Sequence, residues 1–258
     1  MKQLLQTLTP AESLLLRNGD STPQYVMLKL TLMDLLLKKV LMVSTVERQP
    51  NSRDPVKAYQ YVSAGENFGN YAALKHELTY LHDFRQSRDL QMTFKNCVKV
   101  AFENSGSEKK MRQTVRSTPA LAGAFADTWL LRLTGTFNYS DQGFKKRLQL
   151  EDEIRAMEEK ISTLLESDRQ AALDELRKIG GNIFLLTGLS IKLLTEVEEA
   201  FLKNVPGHNS ASGCSGGCSA PSSYTNDFDS AYPSGSDSAD SGCSGDGGCS
   251  SGCGGCGD

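Results

Sequence analysis

Apolar residues recur every three or four positions through most of residues 1–206, and that period predicts a mainly helical body. Thr9-Pro10-Ala11-Glu12 has the form of a capping box with proline at the first helical position. The Leu14–Leu16 run follows it, and Gly19 is a left-handed stop. Thr22-Pro23 opens a second helix. Its apolar positions, from Val26 to Leu37, are too many for one stripe and predict burial on more than one side.

After Lys38-Lys39 the period changes. Val40 to Val46 is apolar and β-branched, the cluster from Gln49 to Pro55 is turn-forming, and Val56 to Val62 resembles a returning strand. Helix, helix and hairpin in that order predict a winged-helix-like module over 9–64. Residues 70–204 then read as helical segments: 72–84, 90–102, 108–116, 120–133, 144–166, a helix capped by Ser167-Asp168 and ending at Gly180-Gly181, and 183–203. Thr136 to Tyr139 has the look of a reduced wing. Thr22-Pro23 and Thr118-Pro119 open similar segments, a likeness that two amphipathic helices produce by chance more readily than by duplication.

Composition divides the chain at Pro206. Residues 207–258 hold 13 of the 23 glycines, 14 serines and six of the seven cysteines, with six aspartates and no Lys or Arg. The 28 basic side chains therefore face 25 acidic ones in residues 1–206, and the overall charge of −3 conceals a mildly basic body and an acidic tail. Such a tail buries too little apolar area to offset chain entropy and is expected to be disordered. The expected fold class is mainly α: a helical body over 1–206 and a disordered tail over 207–258. Truncation at Pro206 is then expected to leave thermal unfolding of the body unchanged.

The start lacks a continuous apolar h-region and an A-x-A-like cleavage site, so no signal peptide is read. The longest apolar run, Ile183 to Leu194, contains Thr187, Ser190 and Lys192 and falls short of the roughly 18–20 residues of a membrane span. A cytoplasmic setting with reduced thiols is expected, and an odd number of cysteines does not favour a closed disulfide framework.

Motifs for chemistry are sparse. His76-Glu77 invites a zinc-protease reading, but the next histidine is His82, six residues on, which turns the two rings roughly 120° apart on a helix. Gly180-Gly181-Asn182 is not followed by the Lys and hydroxyl of a phosphate loop, and no G-x-S-x-G elbow occurs. Cys97 sits in an apolar helix and reads as a buried, inert thiol. Basic clusters occur at Lys38-Lys39, at Lys109-Lys110 with Arg112 and Arg116, and at Lys145-Lys146-Arg147. The helix that a DNA reader would use, 22–39, is apolar rather than basic, so nucleic acid is not the expected partner.

The tail carries the most distinctive chemistry. Cys249, Cys253 and Cys256 are spaced to wrap a soft ion, with Cys243 or His208 as a fourth ligand; Cys214 and Cys218 form a second group. The second C-x₂-C pair of a zinc ribbon is missing.

Leu8-Thr9-Pro10-Ala11-Glu12, Asn18-Gly19-Asp20 and Leu35 to Leu41 resemble a group of uncharacterised bacterial proteins. Those proteins begin L-S-P-x-E…L-x-G-G, continue through a helix into L-x-x-x-G-L/V-L, and end in a Gly/Cys-rich tail. This chain lacks the second glycine after Gly19, has Lys39 at the usual glycine position, and lacks the membrane helices of that group. The same head is also similar to the Golgi phosphoprotein lipid-binding family, without matching phosphoinositide residues. Neither resemblance implies a reaction. The expected function is a non-catalytic interaction module that presents its cysteine-rich tail to a protein partner. The alternatives are Zn or Cu handling by tail thiolates, and a precursor whose Gly-Ser/Cys tail is modified by another enzyme.

Overall fold

The computed structural model describes residues 3–49, 55–126, 138–187 and 224–233. The chain opens with α1 (Leu4–Thr7), α2 (Pro10–Asn18) and α3 (Gln24–Leu37), followed by strands β1 (Leu41–Arg48) and β2 (Lys57–Ala64). Then come α4 (Leu78–Gln86), β3 (Gln91–Thr93), α5 (Phe94–Ser105) and α6 (Glu108–Arg116), and after them the long α7 (Asp141–Ser167), α8 (Arg169–Ile179) and α9 (Thr225–Ala231). The protein is mainly helical, and among the described residues the strands form one small antiparallel sheet in the order β1-β2-β3.

Local chemistry sets the boundaries. The capping box at α2 is complete: Glu12 N–H donates to Thr9 Oγ1, and Thr9 N–H donates back to Glu12 Oε2 at 2.7 Å. Gly19 ends the helix at φ +56°. Helix α3 is buried on most of its circumference, including Met27, Leu28, Leu32, Met33 and Leu35, as its apolar sequence requires. Strand β1 returns as β2 with Leu41 opposite Ala64 and Arg48 opposite Lys57, so helix, helix and hairpin do follow one another over 9–64.

Three stretches differ from the periodicity. The expected helix over 90–102 begins as strand β3, which pairs Met92 with Val62; Thr93, extended, then caps α5 by accepting from Asn96 N–H. The expected helix over 72–84 starts only at Leu78, because Glu77 is committed to the turn before it, accepting from Leu74 N–H at 2.7 Å. The expected helix over 120–133 is not formed at its start. Pro119–Leu121 is a single 3₁₀ turn, Gly123 lies at φ +70°, and Phe125 bridges to Tyr139. Residues 127–137 lie outside the described residues, as do 188–203 of the expected last helix; its first residues, from Ile183, instead complete the 3₁₀ segment Gly180–Leu185.

One hydrophobic core runs from Leu5 in α1 to Phe228 in α9. The last of these residues belongs to the stretch whose composition predicts disorder. Within that stretch Thr225–Ala231 form a short helix laid against the body. Residues 207–223 and 234–258 lie outside the described residues.

Candidate functional site

Two features concentrate polar and aromatic chemistry. The first is the groove that holds α9. Its walls are α3, with Tyr25, α5, with Phe94 and Phe102, and the hairpin, with Gln60. Residues Tyr224, Phe228 and Tyr232 enter it from α9 at positions i, i+4 and i+8, one face of a helix. The Tyr224 ring stacks on Phe94 with centroids 5.6 Å apart, and Phe228 lies 5.7 Å from Tyr25. Tyr232 meets Tyr25 and Phe102 edge-on at 5.0 and 5.2 Å. These are the tilted and offset arrangements that aromatic quadrupoles favour. Phe228 is fully buried.

Acidic side chains fix the register of this helix. Asp229 accepts hydrogen bonds from the Tyr25 hydroxyl and from Lys29 Nζ, the latter at 2.7 Å, and Asp227 accepts from Gln60 Nε2 at 2.9 Å. Burial, and then the bond to Asp229, push the Tyr25 phenol up to about 12. At the carboxylate burial raises the Asp229 pKa, but the hydrogen bonds from Lys29 and Tyr25 and the charge of Lys29 outweigh it, and the group ends below the usual range. Beside α9 the groove stays open as a cleft of roughly 400 Å³, lined by Thr45, Ala58, Tyr59, Phe94, Lys95 and Asp227 among others.

The second feature is a buried ionisable cluster at the end of α3. Lys38 Nζ bridges Asp34 Oδ2 at 2.5 Å and the Tyr71 hydroxyl at 3.4 Å, and that hydroxyl donates to Glu77 Oε1 at 2.7 Å. Asp34 Oδ1 faces Gly181, where any Cβ would collide with it, and Glu12 stands near enough to act on it electrostatically. Burial raises the Asp34 and Glu77 carboxyls above their ordinary range, while Lys38 pulls both back down. Asn182, next to Gly181, donates to the carbonyls of Leu5 and Leu8 at 2.8 and 2.7 Å. The Gly180-Gly181-Asn182 motif thus closes the start of the chain onto α3.

Asp34, His76 and Glu77 are each buried, and the cluster joins α3 to the turn before α4 and to Gly181.

The histidines of the zinc-like motif do not converge. His76 is buried before α4, whereas His82 is exposed and bonded to Asp83. Burial first, and then the charge of Lys38, push the His76 imidazole down to about 4. A group depressed on folding adds stability above its unfolded pKa, near 6.5, and loses it as the pH falls toward the folded value. Between pH 6.5 and 4 the expected loss is about 3 kcal/mol. Asp34 and Glu77, raised on folding, act oppositely: their contribution is full at acid pH and falls as the pH rises through their folded pKa values. Urea unfolding of the wild type and of His76→Leu across this window separates the two. The variant should lose the histidine share of the slope, and parallel curves would rule His76 out as its source.

Cys97 is buried and its thiol is pushed up to about 12 by burial, so it is protonated at neutral pH. The tail cysteines 214, 218, 243, 249, 253 and 256, and His208, lie outside the described residues. Among the described residues no group of three or more His, Cys, Asp or Glu side chains is placed to hold a metal ion, and no helix is long and apolar enough to cross a membrane. The sequence reading missed the α9 groove. Its signal was the spacing of Tyr224, Phe228 and Tyr232, which are all the aromatic residues of 207–258. No protein-family model, curated protein or solved structure matches the chain.

Proposed function

We propose that the protein is a non-catalytic interaction module acting in the cytoplasm. Its helical body anchors the C-terminal region through α9 and so presents the cysteine-rich residues on either side of that helix to a protein partner. The observation that carries this reading is the fully buried Phe228, seated in an aromatic groove within a stretch otherwise rich in glycine and serine.

Nucleic acid fits less well. Helix α3, which a winged-helix reader would lay in the major groove, is enclosed by the core. Several basic residues are also engaged within the protein: Lys39 with Glu66, Arg112 with Glu108 and Thr22 O, and Arg147 with Glu151. In this reading residues 9–64 serve as a protein-contact module of winged-helix type.

Hydrogen exchange in the full-length chain tests the anchoring. Amides of 225–232 should be protected in the wild type and should exchange much faster in Phe228→Ala, by a larger factor than the slowest amides of the body, which follow only the global loss of stability. Equal exchange in both proteins would sink the reading.

A further inference from the structure

The two edges of the sheet are built differently. Strand β3 forms one edge and has three residues, too few to offer another chain much to pair with. Strand β1 forms the other and has eight. Its register with β2 runs unbroken from Leu41 to Arg48, and its sequence contains neither lysine nor proline. Short length, a bulge, lysine and proline are the common guards of a sheet edge, and β1 has none of them.

The ladder fixes which backbone groups face outward. Gly65 N–H donates to Val40 O at 2.8 Å, so the even-numbered residues of β1 are the ones bonded to β2. Leu41, Val43, Thr45 and Glu47 therefore turn their N–H and C=O groups to the outer edge. Among the described residues no backbone hydrogen bond reaches that edge. Side chains alternate in the same way: Leu41 and Val43 are buried in the core, whereas Met42 and Val46 are exposed on the opposite face with Ser44 between them.

We infer that the outer edge of β1 pairs with the same edge of a second copy of this chain, antiparallel, about a two-fold axis through Ser44. Self-complementarity identifies the occupant. The axis sets Val43 opposite Thr45, and Leu41 opposite Glu47, of the other copy, so about eight backbone hydrogen bonds satisfy all four outward-facing residues. It also lays Met42 of each copy against Val46 of the other, at non-hydrogen-bonded positions where side chains approach most closely. The exposed apolar side chains of the strand thus cover each other. Charge matches at the ends: Glu47-Arg48 of one copy arrives beside Lys39 and Glu66 of the other, which lie 3.7 Å apart where β1 begins. An axis through Thr45 would instead set Met42 against Arg48 and lose the apolar match. The pairing goes beyond the anchoring of α9 and does not depend on it. A dimer carries two cysteine-rich C-terminal regions and so gains avidity for a partner with two sites.

Sedimentation equilibrium of the full-length chain tests the pairing, with thiols kept reduced so that no disulfide joins two copies. The wild type should be a reversible dimer. Thr45→Pro removes an outward N–H and leaves the bonds to β2 in place, and it should weaken the dimer about tenfold or more. Val46→Lys, at an exposed position, sets an ammonium against Met42 of the other copy and should weaken it to a similar degree. Met42→Glu combined with Val46→Lys should recover most of that loss, because the two-fold then opposes a carboxylate to each ammonium. A wild type still monomeric at about 0.5 mM would leave the edge to a strand of another protein and overturn the inference. A dimer indifferent to both Thr45→Pro and Val46→Lys would overturn it too, as would a double variant no tighter than Val46→Lys alone.

Discussion

Replacing Lys38 by methionine should cost about 2–3 kcal/mol at neutral pH, less than for a fully buried pair, because Asp34 is buried while Lys38 itself is partly exposed. Asp34 is then left among Glu12 and Glu77 with its cation gone. Its carboxyl is already raised by burial, so it must bind a proton to stay inside. The deficit should therefore shrink as the pH falls into the ordinary carboxylate range and grow as it rises.

Asp34→Asn should be milder, at about 1–2 kcal/mol, because the Lys38 side chain is 37% exposed and can turn to water. Tyr71, which donates to Glu77, also remains beside it. Urea denaturation of the two variants at pH 4.5 and 7 checks the asymmetry. A larger cost for Asp34→Asn, or a Lys38→Met deficit independent of pH, would contradict the account of the cluster.

Deletion of residues 207–258 should also destabilise the body, by about 3 kcal/mol, at the lower end of the range for truncating a buried phenylalanine. For a domain of this size that is a fall in Tm of roughly 10 °C. The docked helix thus changes the expectation, drawn from composition, that the body melts independently of its tail. Phe228→Ala should give nearly the same loss. Once that anchor is gone, ordering the stretch costs about 1–2 kcal/mol per residue, and the remaining contacts do not offset it. A truncated chain that melts with the wild type would mean that α9 contributes nothing to the fold.

The helical body was legible where local chemistry decides the structure. The Thr9–Glu12 capping box, the stop at Gly19, the all-round apolar helix 24–37 and the shift of period at Val40 are properties of neighbouring residues, and each appears in the structure. The cluster at Lys38 was not legible in the same way. Asp34 and Lys38 are one helical turn apart, but Tyr71, Glu77 and Gly181 reach them only through the tertiary fold. His76-Glu77 drew attention as a metal motif, whereas Glu77 belongs to a buried hydrogen-bonded network and the His76 ring is buried beside it with no partner shown for Nδ1 among the described residues. Helix α9 was obscured for another reason. Composition averaged over 207–258 is dominated by Gly, Ser and Cys, and ten residues of different character vanish in that average. A periodicity of four among the aromatic residues survives only when the stretch is read position by position.

The central claim is that the C-terminal region is held on the body through an aromatic groove, and NMR of the full-length chain tests it most directly. With Phe and Tyr rings selectively labelled, nuclear Overhauser contacts should link Phe228 to Tyr25 and Tyr232 to Phe102, whose ring centroids lie 5.7 and 5.2 Å apart. These contacts should vanish in Phe228→Ala while those between Phe68 and Phe84 elsewhere in the core persist. A wild-type chain that shows the Phe68–Phe84 contact but none from Phe228 or Tyr232 to the body would contradict the account.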